Sequence, residues 1–225
     1  MKTGDSMVYP MGERLLSLLF PPRCPLCGAR VPIPCFCTDC RDKIEQENCP
    51  APHILRVGER VLPFRFAVPY RDEYRRMLHQ FKFQQKKSKA RALSQLMAGT
   101  ARGFSAAFDC VCFVPMTKKA AAKRGYNQSE LLAAGVARQM KIPLRRLLVK
   151  QRETAAQHTL NARGRAENVR AVFAARSKCA GQTVLLVDDI LTTGATMCAC
   201  AQALYDGGAQ AVYGLCLAAT PYDRE

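Results

Sequence analysis

The sequence predicts an α/β fold in which helices flank a parallel sheet and a small cysteine-rich module precedes it. Residues 184–187, Val-Leu-Leu-Val, form a continuous apolar run of the kind that parallel sheets bury on both faces. The helical spacing of 195–205, the glycine pair at 207–208 and the apolar segment 211–217 complete a strand, helix, strand series. A chain of 225 residues suffices for one such domain and a small appendage.

The first predicted elements are a short helix and a metal-binding module. Residues 11–20 have amphipathic helical spacing, which stops at a pair of prolines. Two CxxC pairs follow, and each can bend around a metal ion to give the four thiolates that structural Zn²⁺ favours. These ligands are Cys24, Cys27, Cys37 and Cys40. We therefore expect one zinc ion, in a module assigned to residues 1–55.

Alternatives for the other cysteines of this region stay open. Cys35 is close enough in sequence to compete with Cys37, and Cys49 with His53 provides part of a second site. A redox role for a CxxC pair is a further alternative. Prolines and a glycine between residues 50 and 63 suggest a linker, so the main domain is assigned to 60–225. We expect loss of the metal to unfold only the module.

Helices and one strand are predicted over the first half of the main domain. Apolar alternation begins at Val61 and continues to Val68. Two helices with basic faces follow, then a strand closed by Pro115, then a third helix. Their predicted ranges are 74–83, 90–102, 111–114 and 128–139.

The segment 184–196, VLLVDDILTTGAT, predicts a site for a phosphate and a sugar. Asp188 and Asp189 follow the buried run, at the sheet edge where ligands of open α/β sheets bind. A hydroxyl-rich turn then leads into a helix, whose first N–H groups and dipole favour a phosphate. The turn residues are Thr192, Thr193, Gly194, Ala195 and Thr196. Two adjacent carboxylates suit ribose hydroxyls or Mg²⁺.

This segment resembles the 5-phosphoribosyl-1-pyrophosphate (PRPP) motif of type I phosphoribosyltransferases. The resemblance implies that the acid pair contacts the ribose hydroxyls, directly or with Mg²⁺, and that the Thr-rich loop holds the 5′-phosphate. Between residues 114 and 133, Lys118, Lys119 and Arg124 form a basic loop after a strand end, which we assign to pyrophosphate. The polar stretch 152–173, with Arg165, is interpreted as a mobile flap that excludes water.

The full set of motifs identifies the chain as similar to the ComF family of competence-associated phosphoribosyltransferase-like proteins. The resemblance rests on the CxxC pairs at 24–40, Lys82 in FKF, RGYNQ at 124–128, spaced residues between 154 and 173, and VDDILTTGAT. It implies a zinc ribbon followed by a phosphoribosyltransferase fold, PRPP binding, and a role with single-stranded DNA in natural transformation. Val114-Pro115-Met116-Thr117 stands where the family often has VPVP.

The charge of the chain favours a polyanionic partner. The formal net charge is +16, and residues 71–176 hold 23 Lys or Arg against six Asp or Glu. We predict that one basic cluster contacts nucleic acid. The alternative interpretation is that these basic residues form a solvated surface. The cluster is Lys82, Lys86, Lys87, Lys89 and Arg91.

The expected compartment is the cytoplasm, without membrane insertion. The early apolar run at 15–20 is too short to span a bilayer, and clustered cysteines in a reducing compartment more often bind metal than form disulfides. The leading hypothesis is therefore a protein that binds PRPP with Mg²⁺ and single-stranded DNA, with DNA-uptake or recombination proteins as partners. The alternatives are an active phosphoribosyltransferase acting on a base or amine, and a PRPP-sensing DNA-binding regulator without turnover.

Overall fold

The fold is described by a computed structural model that covers residues 21–47, 51–83, 89–151 and 172–220. Its strands are β1 (His53–Val57), β2 (Arg60–Pro69), β3 (Cys110–Phe113), β4 (Leu148–Lys150), β5 (Phe173–Ala175), β6 (Thr183–Leu191) and β7 (Ala211–Ala219). Its helices are α1 (Thr38–Glu47), α2 (Asp72–Phe83), α3 (Ala90–Ala101), α4 (Lys118–Arg124), α5 (Gln128–Met140) and α6 (Ala195–Asp206).

Five strands form one sheet in the order β1-β2-β7-β6-β3. The pairs β2–β7, β7–β6 and β6–β3 are parallel, whereas β1 pairs antiparallel with β2 and makes one edge of the sheet. Strands β4 and β5 form a separate antiparallel pair. The predicted α/β fold with a mainly parallel sheet is confirmed.

Both faces of the central strand β6 are covered. Leu185 and Val187 lie in a core shared with α2, α3 and α5, while Val184 and Leu186 lie in a second core shared with α6 and the β4–β5 pair. All four side chains are fully buried. The apolar run is continuous because alternate residues enter two different cores.

Helices α3 and α5 pack closely where Gly135 of α5 faces Ser94 of α3. A Cβ atom at position 135 would lie 2.2 Å from Ser94 Oγ and 2.4 Å from Ser94 Cβ. Glycine is therefore required there by the distance between the two helices. This contact fixes the position of α5, whose first turn faces the carboxyl end of β6.

The cysteine-rich module is part of the main structure. Phe36 and Ile44 of the module belong to the same core as Tyr74 and Met77 of α2. The buried Tyr74 hydroxyl donates to Glu47 Oε2 at 2.8 Å. We expected a separate unit because two CxxC pairs require no help from the rest of the chain. The apolar residues between and after the pairs join it to α2.

The sequence-based assignments differ from the structure in several places. The predicted linker contains strand β1, because the extended chain of 53–57 pairs with β2, so the sheet begins before residue 60. Residues 118–124, predicted as a loop, form α4, for which Thr117 Oγ1 accepts from Ala120 N at 3.2 Å. Helix α1 and the β4–β5 pair were not predicted. The predicted helix 11–20 lies outside the described residues.

Candidate functional site

A cavity of about 450 Å³ lies at the carboxyl ends of β3 and β6. Parallel strands bring their carboxyl ends to one edge of a sheet, where the connections to the following helices leave a crevice. The cavity is lined by Lys82, Val114, Pro115, Met116, Thr117, Ala120, Asn127, Gln128, Ser129, Lys150, Asp188, Asp189, Ile190 and Thr196. Two carboxylates, two ammonium groups and a helix N-terminus thus share one space.

The acid pair lies within β6, which continues to Leu191, beyond the strand end that the sequence predicted. Asp188 is buried, and its Oδ1 accepts from Ser129 Oγ and from Asp189 N, each at 2.8 Å. Asp189 Oδ1 accepts from Ile190 N at 2.8 Å. Burial, reinforced by the neighbouring Asp189 carboxylate, raises the pKa of Asp188 to about 7. A cation bound here would favour the charged form.

The turn after β6 leads directly into helix α6, as predicted. Gly194 adopts a left-handed conformation with φ of 77°, which glycine enters without the steric cost of a side chain. The first intrahelical bond runs from Cys198 N to Gly194 O, so earlier N–H groups lack a partner within the helix. Thr192 and Thr193 are exposed, and Thr196 lines the cavity. These donors can hold an anion.

Thr220 anchors the turn from the end of the neighbouring strand. Its hydroxyl donates to Thr192 O at 3.1 Å, and its N–H donates to Leu191 O at 3.0 Å. No pattern in the sequence links residue 220 to residue 192, since the link follows from the pairing of β6 with β7.

Residues 126–129 connect three parts of the cavity wall. The Tyr126 hydroxyl donates to Phe81 O, and Gln128 Nε2 donates to Lys82 O at 3.3 Å, which ties down the end of α2. Asn127 Oδ1 caps α5, while its Nδ2 donates to Val114 O at 3.1 Å. With Ser129 on Asp188, this segment joins α2, β3 and β6 around the cavity.

Two lysines face the cavity from different elements. Lys82 lies at the last turn of α2, and its Nζ is 3.5 Å from Asp189 Oδ2. Lys150, at the end of β4, has its ammonium group 5.4 Å from the centre of the Phe173 ring. Sequence reasoning placed Lys82 with nucleic acid and missed Lys150, because neither belongs to a phosphate motif.

The predicted pyrophosphate residues are only partly described. Lys119 is exposed on α4, which begins at the cavity wall after Thr117. The side chains of Lys118 and Arg124 lie outside the described part of the structure, and so does Arg165 with most of the predicted flap. Their assignment to pyrophosphate stays a prediction.

Four thiols of the N-terminal module form a candidate metal centre. The Sγ atoms of Cys24, Cys27, Cys37 and Cys40 all lie within 4.8 Å of one another, and Cys27 Sγ is 3.6 Å from Cys37 Sγ. Tetrahedral zinc with Zn–S bonds of about 2.3 Å separates sulfurs by about 3.8 Å, so the set fits one such ion. Cys35 is outside the cluster, and Cys49 lies outside the described residues.

The electrostatics of these thiols also suit a cation. Burial acts to raise the pKa of Cys24, yet hydrogen bonds with the backbone of Cys27 and Cys37 bring it down to about 7. Burial and the neighbouring thiols raise the pKa of Cys40 above its ordinary value. A metal ion at the centre would convert all four to thiolates. His53, which the sequence analysis groups with Cys49, stacks on Phe64 and Phe66.

Three of the five basic residues predicted to contact nucleic acid lie in the described part of the chain, and all three are half-buried. Lys82 lies in the cavity, while Lys89 Nζ donates to Gln80 Oε1 at 2.6 Å and to Pro25 O at 3.0 Å. Lys86 and Lys87 lie outside the described residues, and Arg91 is half-buried.

In the described part of the chain, no helix has the length and apolar character needed to cross a membrane.

Comparisons with known proteins agree with this geometry. Residues 127–225 match the model of the phosphoribosyl transferase domain, and the matched region contains the acid pair and α6. The "DNA utilization protein YhgH" of Escherichia coli K12 is 34% identical over 151 residues, covering 64% of this chain and 66% of that protein. The match therefore spans just under two thirds of that relative.

Two further relatives match over more of their length. The "DNA utilization protein YhgH" of Salmonella typhimurium LT2 is 30% identical over 207 residues, covering 88% of this chain and 84% of the relative. The "Competence protein ComFC" of Bacillus subtilis 168 is 28% identical over 193 residues, covering 82% and 72%. Because the match to the phosphoribosyl transferase domain runs from residue 127 to residue 225, the longest of these alignments must include much of the chain before residue 127, so the likeness is not limited to one motif.

Proposed function

The chain belongs to the ComF family of proteins with the type I phosphoribosyltransferase fold, and from this premise we propose that it binds PRPP with Mg²⁺ and single-stranded DNA, in the uptake and use of incoming DNA. The observation that carries the PRPP proposal is the cavity in which the acid pair of β6 and the N-terminus of α6 lie together. The names of the relatives support the DNA role.

The parts of the cavity match the parts of PRPP. The 5′-phosphate is placed at the turn 192–196, where Thr hydroxyls and N–H groups of α6 donate and the helix dipole favours negative charge by about 0.3–1 kcal/mol. The ribose hydroxyls are placed on Asp188 and Asp189. Two carboxylates, one of them with its pKa raised by burial, are the donor set for Mg²⁺, which would neutralise them and the phosphates together. Ser129 holds Asp188 in position.

Calorimetric titration with PRPP in Mg²⁺ buffer tests this proposal. Wild-type protein should bind with an affinity that depends on Mg²⁺, and the double variant Asp188→Asn, Asp189→Asn should bind at least about tenfold more weakly, a loss of about 1.4 kcal/mol. The double variant Arg176→Gln, Lys178→Gln is a control, because both side chains are exposed ahead of the amino end of β6. Equal affinity in wild type and the acid-pair variant would contradict the proposal.

A second candidate function, transfer of the phosphoribosyl group, is favoured by the apolar part of the cavity wall. Val114, Met116 and Ile190 lie beside the acid pair and offer a surface for a planar base. In such a transfer, a nitrogen nucleophile bonds to C1 as the C1–O bond to pyrophosphate breaks, and the nitrogen releases a proton. The cavity would act by positioning and charge stabilisation.

Release of pyrophosphate from PRPP distinguishes an enzyme from a binding protein. The assay should be run across purine and pyrimidine bases and amines, with and without single-stranded DNA. PRPP binding without release under all conditions favours a binding protein. In that case, a change in DNA affinity on adding PRPP would indicate the sensing role.

The proposed DNA contact is the outer face of α2. Its inner face is buried through Tyr74, Met77, Leu78 and Phe81, which follow helical spacing. The outer face carries exposed Arg75, Arg76 and His79, and exposed Arg71 lies just before the helix. Arg71 pairs with Glu47 at 3.0 Å, and Arg75 lies 5.3 Å from the centre of the Tyr70 ring. Guanidinium groups next to an aromatic ring suit a single strand, whose phosphates and bases both need partners.

Reversing charge on this face tests the contact. The double variant Arg75→Glu, Arg76→Glu should weaken binding to an oligonucleotide about tenfold and reduce the log–log salt slope by about 1.4, since each neutralised phosphate contributes about 0.7. The control is Arg176→Glu, Lys178→Glu, which changes the net charge equally. If both double variants lost the same affinity, the effect would come from net charge and not from α2.

A further inference from the structure

We propose that Lys82 binds the pyrophosphate group of PRPP, with Asp189 as its partner when the ligand is absent. This inference rests on the proposed PRPP site and assigns one of its residues. Lys82 Nζ lies 3.5 Å from Asp189 Oδ2, and its side chain is 23% exposed toward the cavity. The lysine therefore belongs to the ligand site and not to the DNA surface suggested by its sequence neighbours.

The backbone at Lys82 is held in place from two sides. Gln128 Nε2 donates to Lys82 O, and the Tyr126 hydroxyl donates to the preceding carbonyl of Phe81. The Phe81 ring is fully buried, with its centre 6.1 Å from that of Tyr126. Segment 126–129, which also fixes Asp188 through Ser129, thus sets the position of the lysine relative to the acid pair.

The ion pair leaves the ammonium group able to take a second anion. A charge-assisted N–H···O bond is about 2.7–2.9 Å long, so the 3.5 Å contact is loose, and an ammonium group has three donors. When Mg²⁺ and the ribose hydroxyls engage Asp189, the lysine loses its partner. The energetic cost of that loss falls if an anionic ligand group replaces the carboxylate.

The connectivity of PRPP places the pyrophosphate near Lys82. With the 5′-phosphate at α6 and the ribose hydroxyls on the acid pair, C1 is bonded directly to a hydroxyl-bearing carbon. The pyrophosphate group on C1 is therefore attached to the sugar beside the acid pair, on the side away from the 5′-phosphate. Lys82 approaches the acid pair from α2, whereas Thr196 lies at the start of α6.

Comparing PRPP with ribose 5-phosphate tests this assignment, because the two ligands differ by the pyrophosphate. Lys82→Met should lower the affinity for PRPP about tenfold or more, and leave the affinity for ribose 5-phosphate unchanged or higher. Lys82→Arg should restore part of the PRPP affinity. The control Lys178→Met removes the same charge from an exposed residue near the amino end of β6. DNA affinity should be the same in Lys82→Met and wild type.

Each other outcome overturns the assignment in a recognisable way. Equal losses for both ligands would mean that Lys82 acts through Asp189 on the ribose. Unchanged PRPP affinity would mean that it contacts no ligand, and a loss confined to DNA would return it to the nucleic-acid surface. If wild type bound ribose 5-phosphate and PRPP equally, the pyrophosphate would have no site here. If wild type bound neither, the proposed function itself would fail, and this role with it.

Discussion

The four clustered thiols come from one stretch of chain, residues 24–40, whereas the side chains around the acid pair come from several elements between residues 82 and 196. In the first region, two turns and the start of α1 are enough to bring the ligands together. In the second, Lys82 and Ser129 reach the acid pair, and Lys150 reaches the same cavity, only because the sheet and its helices have formed. The two sites therefore depend on the rest of the fold to different degrees.

Helix α2 connects the two regions. Its amino-terminal half contacts the module through Tyr74 and Glu47, and Lys43 Nζ lies 2.5 Å from Glu73 Oε1. Its last turn carries Lys82 to the cavity. We therefore expect a change in the cysteine-rich module to affect the cavity through this helix.

The largest effect is expected from removing one thiol. Cys24→Ser replaces a buried ligand in the shared core, so the metal should be lost and the free energy of unfolding should fall by on the order of 5 kcal/mol. Because the module packs on α2, PRPP binding should weaken too, contrary to the expectation of a separate unit. Metal content by mass spectrometry, thermal unfolding and calorimetry measure these effects. Cys35→Ser, outside the cluster, should keep the metal.

The next effect should come from Asp188→Asn, and it should have the opposite sign for stability. Since the pKa of Asp188 is raised from 3.8 to about 7 in the folded state, its ionisation opposes folding by up to about 4 kcal/mol. Wild-type stability should fall as the pH rises from about 4 to about 7, in Mg²⁺-free buffer.

The Asp188→Asn variant should lack that pH dependence and be more stable at pH 8, while binding PRPP weakly. Denaturant unfolding at pH 5 and pH 8 gives the comparison. If the stability of the wild type instead rose from pH 5 to pH 8, and that of the variant rose in parallel, ionisation of Asp188 would not destabilise the folded state. Lys82 and Asp189 are the charged groups that face it.

A smaller loss is expected from Gly135→Ala. The added Cβ would meet Ser94 at 2.2 Å and push α5 away from α3, which should cost about 1–3 kcal/mol. Because α5 carries Ser129 to Asp188, PRPP affinity should also fall. Gly99→Ala on α3 is the control: its Cβ would meet nothing within 4 Å, so it should stabilise the helix by up to about 1 kcal/mol. Thermal unfolding separates the two.

The smallest effect should follow from cutting one link between the regions. Lys89→Met removes the hydrogen bonds to Pro25 O of the module and to Gln80 Oε1 of α2, which should cost about 1–2 kcal/mol. Combined with Lys82→Met, it shows through a double-mutant cycle whether the module acts on PRPP affinity through the last turn of α2. Strictly additive effects on affinity would mean that the connection ends before Lys82.

The sequence predicts the elements that carry their own local signal. The apolar run at 184–187, the turn into α6 and the cysteine spacing are each recognisable within about 20 residues, and the structure places them as expected. Strand β1 was missed because Gly58 and nearby prolines resemble a linker, although they allow a hairpin. Lys150 and Thr220 could not be found, since their roles depend on the pairing of strands and on neighbours far along the chain.

Burying Asp188 also ties the lifetime of the protein to its ligand. A ligand present at about 100 times its dissociation constant stabilises the folded state by about 2.7 kcal/mol, and one that brings a cation to this carboxylate also relieves the unfavourable burial of its charge. Without the ligand, the chain opens more often and is exposed to proteases. If PRPP is that ligand, as proposed above, the amount of this protein in a cell should follow the supply of PRPP, with no change in its synthesis.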